Sequence, residues 1–134
     1  MPEEETERAA PPSSRPLIFV VDDEPMLLSL TAILLEQAGY ETRTFPDAIL
    51  ALRAFNSAEP RPALIVTDYA MHSMTGIDLI RECRRIVPQQ KTILISGTID
   101  ESVYAHVTAK PNRFLAKPFG PPEFVGLVQS VLAA

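Results

Sequence analysis

The sequence predicts an α/β domain: a parallel sheet of five strands flanked by five helices. Short β-branched or aliphatic runs alternate along the chain with longer amphipathic stretches. Three of those runs, at residues 17–21, 63–67 and 91–95, are nearly continuous hydrophobes, as strands covered on both faces require. At 134 residues, with 46% hydrophobic and 22% charged positions, the chain has material for one core and too little length for two ordinary domains.

Residues 1–16 hold four Pro, four Glu and two Arg, with no large aliphatic residue to anchor them, so they are expected to form a disordered tail ahead of a domain spanning 17–134. The first strand is 17–21. Residues 25–38 read as a helix that opens with Asp23-Glu24-Pro25, stops at Gly39 and carries Leu27, Leu30 and Leu34 on one side. Met26 and Ile33 flank that stripe on one edge and Leu28 and Leu35 on the other, which is more apolar surface than burial requires. Residues 41–45 are a mixed strand suited to a sheet edge, and 47–55 a short helix. After the strand at 63–67, residues 75–87 repeat apolar positions at Ile77, Ile80, Cys83 and Val87 and end before Pro88. The strand at 91–95 is followed by a weak helix at 101–107 and an edge strand at 113–116. A last helix at 121–132 carries Phe124, Leu127, Val128 and Val131. Three interior strands and two edges are expected.

Charge narrows the function. Four Glu against two Arg give the tail −2, leaving −3 of the total −5 for the remainder. Neither a nucleic acid nor an anionic membrane surface is an expected partner. The longest apolar runs, about five residues, fall far short of the ~20 that span a bilayer. The amino terminus lacks the basic-then-apolar order of a secretory signal. A single Cys83 excludes an intramolecular disulfide and fits a reducing, cytoplasmic setting.

In an open parallel sheet, ligands bind beyond the carboxyl ends of the strands. Asp22 and Asp23 follow the first strand, Asp68 the third, Ser96 and Gly97 the fourth, and Lys117 and Pro118 the fifth. Three carboxylates on one rim repel unless neutralised, and a hard divalent cation with oxygen ligands, Mg²⁺, is the natural answer. The plainer reading is that these acids cap the following helices, as Asp23 can before Pro25. Their coincidence with a Lys and a Ser favours a site. Asp68 is the candidate nucleophile, since a carboxylate can take a phosphoryl group as a mixed anhydride. Mg²⁺ held by Asp22 and Asp23, the Lys117 ammonium and the Ser96 hydroxyl then neutralise the transferring group. Lys117 as a mere counter-ion and Ser96 as a loop cap remain alternatives.

The stretches Phe19-Val-Val-Asp22-Asp23-Glu24-Pro25, Thr67-Asp68-Tyr-Ala-Met71-His-Ser-Met74-Thr-Gly76-Ile77, Ile95-Ser96-Gly97 and Phe114-Leu-Ala-Lys117-Pro118-Phe119 resemble, in order and spacing, the receiver domains of two-component response regulators. The resemblance implies a doubly wound, flavodoxin-like sheet of order 2-1-3-4-5. It implies Asp68 as phosphoacceptor, with Asp22, Asp23, Asp68 and the Ala70 carbonyl as Mg²⁺ ligands. It further implies Ser96 and Phe114 as switch residues, Lys117 as a phosphoryl contact, a cis Lys117-Pro118 peptide and room at Gly97 for a phosphoryl oxygen. The family's partners are a histidine kinase or histidine phosphotransfer protein, docked on the first helix, and a downstream protein target. The chain is then no enzyme beyond its own phosphotransfer and autodephosphorylation, and is expected as a monomer or weak dimer. Three departures stand out. His72 replaces the usual Pro and is expected as an exposed loop residue. Phe114 replaces a frequent Tyr, and Asn112-Arg113 replaces the acidic pair common in dimerising DNA-binding regulators.

Because the chain starts at Met1 and ends with the last helix, a stand-alone receiver is the primary expectation. The receiver portion of a longer hybrid sensor kinase is the alternative. A Mg²⁺-dependent aspartate-nucleophile phosphohydrolase is a third reading. It is disfavoured because Asp22 and Asp23 are adjacent, where such enzymes space two aspartates by two residues.

Overall fold

The computed structural model describes residues 15–57, 60–97 and 110–134. Chain order is β1 (Leu17–Val21), α1 (Pro25–Gln37), β2 (Glu41–Phe45), α2 (Ala48–Ser57), β3 (Leu64–Asp68), α3 (Gly76–Ile86), β4 (Lys91–Ser96), β5 (Arg113–Ala116) and α4 (Pro121–Ala133). The helix expected at 101–107 lies outside the described residues, as does the expected tail apart from Arg15 and Pro16. The five strands are all parallel and ordered β2-β1-β3-β4-β5. Among the described residues no helix is long and apolar enough to cross a membrane.

The β-branched runs occupy the middle of the sheet because both their faces are covered. Every residue of β1 and β3 is buried. Ile18, Val20, Leu64, Val66 and Ile93 point to the layer of α1 and α4, where Leu35, Phe124 and Val128 meet them. Leu17, Phe19, Val21 and Ile65 point the other way, onto Ala51 and Phe55 of α2 and Leu79 and Cys83 of α3. This alternation is the period-two geometry of a strand. Cys83 belongs to that packing: burial pushes its thiol up to about 12, so it stays a protonated core residue. Edge strand β2 is mixed, as expected. Its Arg43 guanidinium lies 5.5 Å and 5.3 Å from the ring centroids of Phe19 and Phe45, covering apolar area that an edge leaves open.

Local signals set the helix ends. Gly39 adopts φ 100°, and its successor Tyr40 donates its N–H to the Leu35 carbonyl at 3.0 Å, a turn that stops α1 and favours glycine. Thr75 and Asp78 form a reciprocal capping box at the start of α3. At the far end of α3, the half-buried Arg84 donates to the carbonyls of Gln90 and Lys110 and, at 2.9 Å, to Oδ1 of Asn112. The same Oδ1 accepts the Thr92 N–H at 2.8 Å. Asn112, a departure from the family pattern in sequence, thus pins the entry of β5 to β4.

The face of α1 differs from expectation. Leu28, Ala32 and Leu35 are buried, whereas Leu30 is half exposed and Leu27 and Leu34 only partly covered. Apolar residues occupy two overlapping stripes one position apart, and a one-residue shift turns a helix by about 100°. Contact with the sheet and α4 selects between them. Met26, Leu30 and Ile33 are left facing solvent, with Met26 79% exposed.

Candidate functional site

Parallel strands running the same way bring their carboxyl ends to one mouth. Asp22 leaves β1 with its N–H held by the Phe45 carbonyl at 3.1 Å, and its Oδ1 accepts the Glu24 N–H at 2.9 Å. The cap of α1 is Glu24, whose carboxylate accepts the Met26 N–H at 2.9 Å, and not Asp23. Asp23 is thereby left to the mouth. Asp68 is the buried last residue of β3, and the following Tyr69 N–H is tied to the Ile95 carbonyl at 2.9 Å. Beyond β5 the Lys117 N–H donates to the Ser96 carbonyl at 2.9 Å, and the Lys117-Pro118 peptide is cis, as expected. The Lys117 Nζ lies 3.2 Å from Oδ1 of Asp68.

Oxygens of Asp22, Asp23 and Asp68 lie within 4.8 Å of one another. At that separation and an effective dielectric near 20, two unit charges repel by about 3 kcal/mol. Burial first, then the Asp68 carboxylate, pushes the Asp22 carboxyl above its ordinary value, against the Glu24 N–H and the Lys117 ammonium, which lower it. One ammonium cannot balance three carboxylates. A donor set made only of carboxylate oxygens suits a hard divalent cation, so the residues fit a metal ion of the Mg²⁺ kind.

Ser96 is buried at the end of β4. Phe114, half buried in β5 opposite Leu94, packs on the cluster of Ile77, Ile80 and Leu94 together with Tyr69. Ala70 is exposed in the loop leaving β3. His72 is exposed, as expected, with 93% of its side chain accessible, yet its Nδ1 lies 3.1 Å from Oδ2 of Asp23. The ring therefore meets the site at its rim.

Two glycines near the mouth differ in what the protein's own packing asks of them. A Cβ on Gly97 would meet Lys117 Cβ at 3.5 Å, ordinary contact, so the protein's own packing does not demand glycine there. At Gly76 a Cβ would collide with the Asp68 carbonyl oxygen and approach Leu94 Cδ1 to 2.7 Å. Its N–H donates to the Tyr69 carbonyl at 2.8 Å. Gly76 lets the start of α3 press against the strand end that carries Asp68, a role sequence reading did not assign. Its signal was a glycine directly after the Thr75 cap, where a helix former is ordinarily preferred.

Residues 18–129 match the family described as the response regulator receiver domain. The DNA-binding response regulator MtrA of Mycolicibacterium smegmatis is 32% identical over 118 residues, 88% of this chain and 51% of that protein. The transcriptional regulatory protein KdpE of Mycobacterium tuberculosis is 29% identical over 116 residues, 87% of this chain and 50% of that protein. The chain spans about half the length of these relatives. Among solved structures, a response regulator receiver domain protein from Clostridium thermocellum superposes with TM-score 0.80 at 26% identity, covering 88% of this chain and 94% of that one. The receiver domain of a sensor histidine kinase from Pseudomonas aeruginosa, with a magnesium ion coordinated in its cleft, does so with TM-score 0.79 at 23% identity, covering 90% and 99%.

Proposed function

Since the chain belongs to the response regulator receiver family, whose work is phosphorelay signalling, we propose that residues 17–134 form the receiver unit and that Asp68 is its phosphoacceptor. A carboxylate oxygen of Asp68 attacks the phosphorus of a phosphohistidine on a histidine kinase or histidine phosphotransfer protein. The P–N bond breaks, and the departing imidazole keeps the electron pair and takes a proton. Asp22, Asp23, Asp68 and the Ala70 carbonyl would hold Mg²⁺, which would supply charge neutralisation for the transferring group. Lys117 and Ser96 supply the remaining donors. Drawing Ser96 towards the phosphoryl oxygens opens space beside Phe114, and that is the switch read by a downstream protein. The reading places the unit in the cytoplasm, as a monomer or weak dimer, with no nucleic acid as its own ligand and no catalysis beyond its own phosphorylation and dephosphorylation.

The observation that supports this most directly is the meeting of Asp22, Asp23 and Lys117 around a buried Asp68. The test is intact-mass measurement after acetyl phosphate or phosphoramidate. One labile phosphoryl adduct is expected with Mg²⁺ and a large loss of adduct with a chelator. No adduct under either condition removes the assignment, and sustained turnover of p-nitrophenyl phosphate replaces it with a hydrolase.

The exposed Met26 and Ile33 flank of α1, widened by Leu30, is the surface we assign to the kinase or phosphotransfer partner. Met26→Arg or Ile33→Arg is expected to slow phosphotransfer from that protein about tenfold by placing a charge in an apolar contact. Labelling by acetyl phosphate and the circular dichroism spectrum should not change. Equal transfer rates for variant and wild type would remove the docking assignment.

A further inference from the structure

We infer that Ser73 and Asp47 are positioning residues for the metal ion: their hydrogen bond ties the loop between β3 and α3 to the turn between β2 and α2, and so sets how that loop meets the ion. The inference rests on the reading of Asp22, Asp23 and Asp68 as a Mg²⁺ site with the Ala70 carbonyl as a further ligand. The Ser73 hydroxyl donates to Oδ1 of Asp47 at 3.0 Å, across 26 positions of sequence. The same oxygen accepts the Ile49 N–H at 2.6 Å, so the acceptor is itself fixed at the start of α2. The Ile49 N–H, followed by the Ser73 hydroxyl, holds the Asp47 carboxyl below its ordinary value against desolvation, and a charged acceptor makes the stronger bond. Close by, the Phe45 carbonyl accepts the Asp22 N–H at 3.1 Å. Residues 45–47 therefore hold both segments that carry ligands, the one after β1 and the one after β3.

The loop at 69–75 needs such a hold. Its ends are fixed, since the Tyr69 N–H donates to the Ile95 carbonyl at 2.9 Å and the Tyr69 carbonyl accepts the Gly76 N–H at 2.8 Å. Between them Ala70, His72 and Ser73 are exposed, while Met71 and Met74 are partly covered against the layer of α2 and α3. Apolar packing is non-directional, so the two methionines keep the loop close without fixing how its backbone turns. A hydrogen bond fixes both distance and angle. Mg²⁺ demands near-ideal octahedral geometry, so a loop that wanders must be gathered before it can supply a ligand. Without the Ser73 contact a smaller fraction of chains holds the loop ready, and the apparent dissociation constant rises by the inverse of that fraction.

The test is isothermal titration calorimetry of the full chain with MgCl₂, beside urea unfolding without added Mg²⁺. Wild type, Ser73→Ala, Ser73→Thr, Asp47→Ala and the double variant Ser73→Ala with Asp47→Ala are compared. Ser73→Ala is expected to raise the dissociation constant about fivefold, the worth of one ordinary hydrogen bond. Ser73→Thr keeps the hydroxyl and should return it towards wild type. Asp47→Ala should weaken Mg²⁺ binding by the same factor and the double variant by no more, because both changes act through one contact. The urea midpoint should separate the two residues, falling further in Asp47→Ala, which also loses its bond to the Ile49 N–H, than in Ser73→Ala. A dissociation constant unmoved by Ser73→Ala, one that merely follows the midpoint across the variants, or single effects that multiply in the double variant overturns the inference while leaving the metal site standing. A wild-type chain that takes up no Mg²⁺ overturns both.

Discussion

Asp68→Asn is expected to abolish the phosphoryl adduct that acetyl phosphate and Mg²⁺ leave on the wild-type chain. The substitution keeps shape and changes chemistry. A neutral amide is no nucleophile towards phosphorus at neutral pH and cannot form the mixed anhydride, so the loss is complete rather than graded. Folding should persist. The change removes the 3.2 Å ion pair with Lys117, but it also removes one of three crowded carboxylates. Lys117 keeps Asp22 as a charge partner, and Asp22, whose carboxyl is raised by burial and then by Asp68, should titrate lower in the variant. The measurements are intact mass for the adduct and carboxyl-detected NMR titration for Asp22. An adduct of equal yield on both proteins would displace Asp68 from its role, and an unmoved Asp22 titration would mean that the two carboxylates do not share a field.

Gly76→Ala is expected to destabilise the fold by about 3 kcal/mol, the upper end of what overpacking costs. The added methyl meets a backbone carbonyl, that of Asp68, which cannot swing aside as a flexible side chain would. Against a total stability of about 5–15 kcal/mol, that loss is large. Relief requires either α3 or the end of β3 to move, and the second displaces the acceptor carboxylate. Weaker Mg²⁺ binding should therefore accompany the lower urea midpoint. Gly126→Ala is the control. It sits within α4, a Cβ there meets nothing within 4 Å, and alanine is expected to stabilise by up to ~1 kcal/mol. Similar midpoints for the two variants would show that the collision at Gly76 is absorbed locally.

The reading of His72 shows where sequence patterns stop. His72, expected as an exposed loop residue, is exposed, and its Nδ1 also lies 3.1 Å from Oδ2 of Asp23. Exposure is a property of one residue, whereas the Asp23 contact depends on a loop pinned by Ser73 to Asp47, 26 positions earlier. Gly76 makes the same point, because its missing Cβ matters only once the carbonyl at the end of β3 is in place beside α3.

Strand identity, the three interior and two edge positions, the start and stop signals at Pro25 and Gly39 and the alignment of Asp22, Asp23, Asp68, Ser96 and Lys117 with strand ends were all determined by the sequence itself. Hydrophobic periodicity and turn chemistry act over a few neighbouring residues, so they can be read along a line. Tertiary structure alone decided which of two apolar stripes α1 buries, that Glu24 rather than Asp23 caps that helix, and that Asn112 joins Arg84 in tying β4 to β5. Those outcomes depend on distances between elements remote in the chain. Local propensity leaves such choices nearly degenerate, and packing against the rest of the fold breaks the tie.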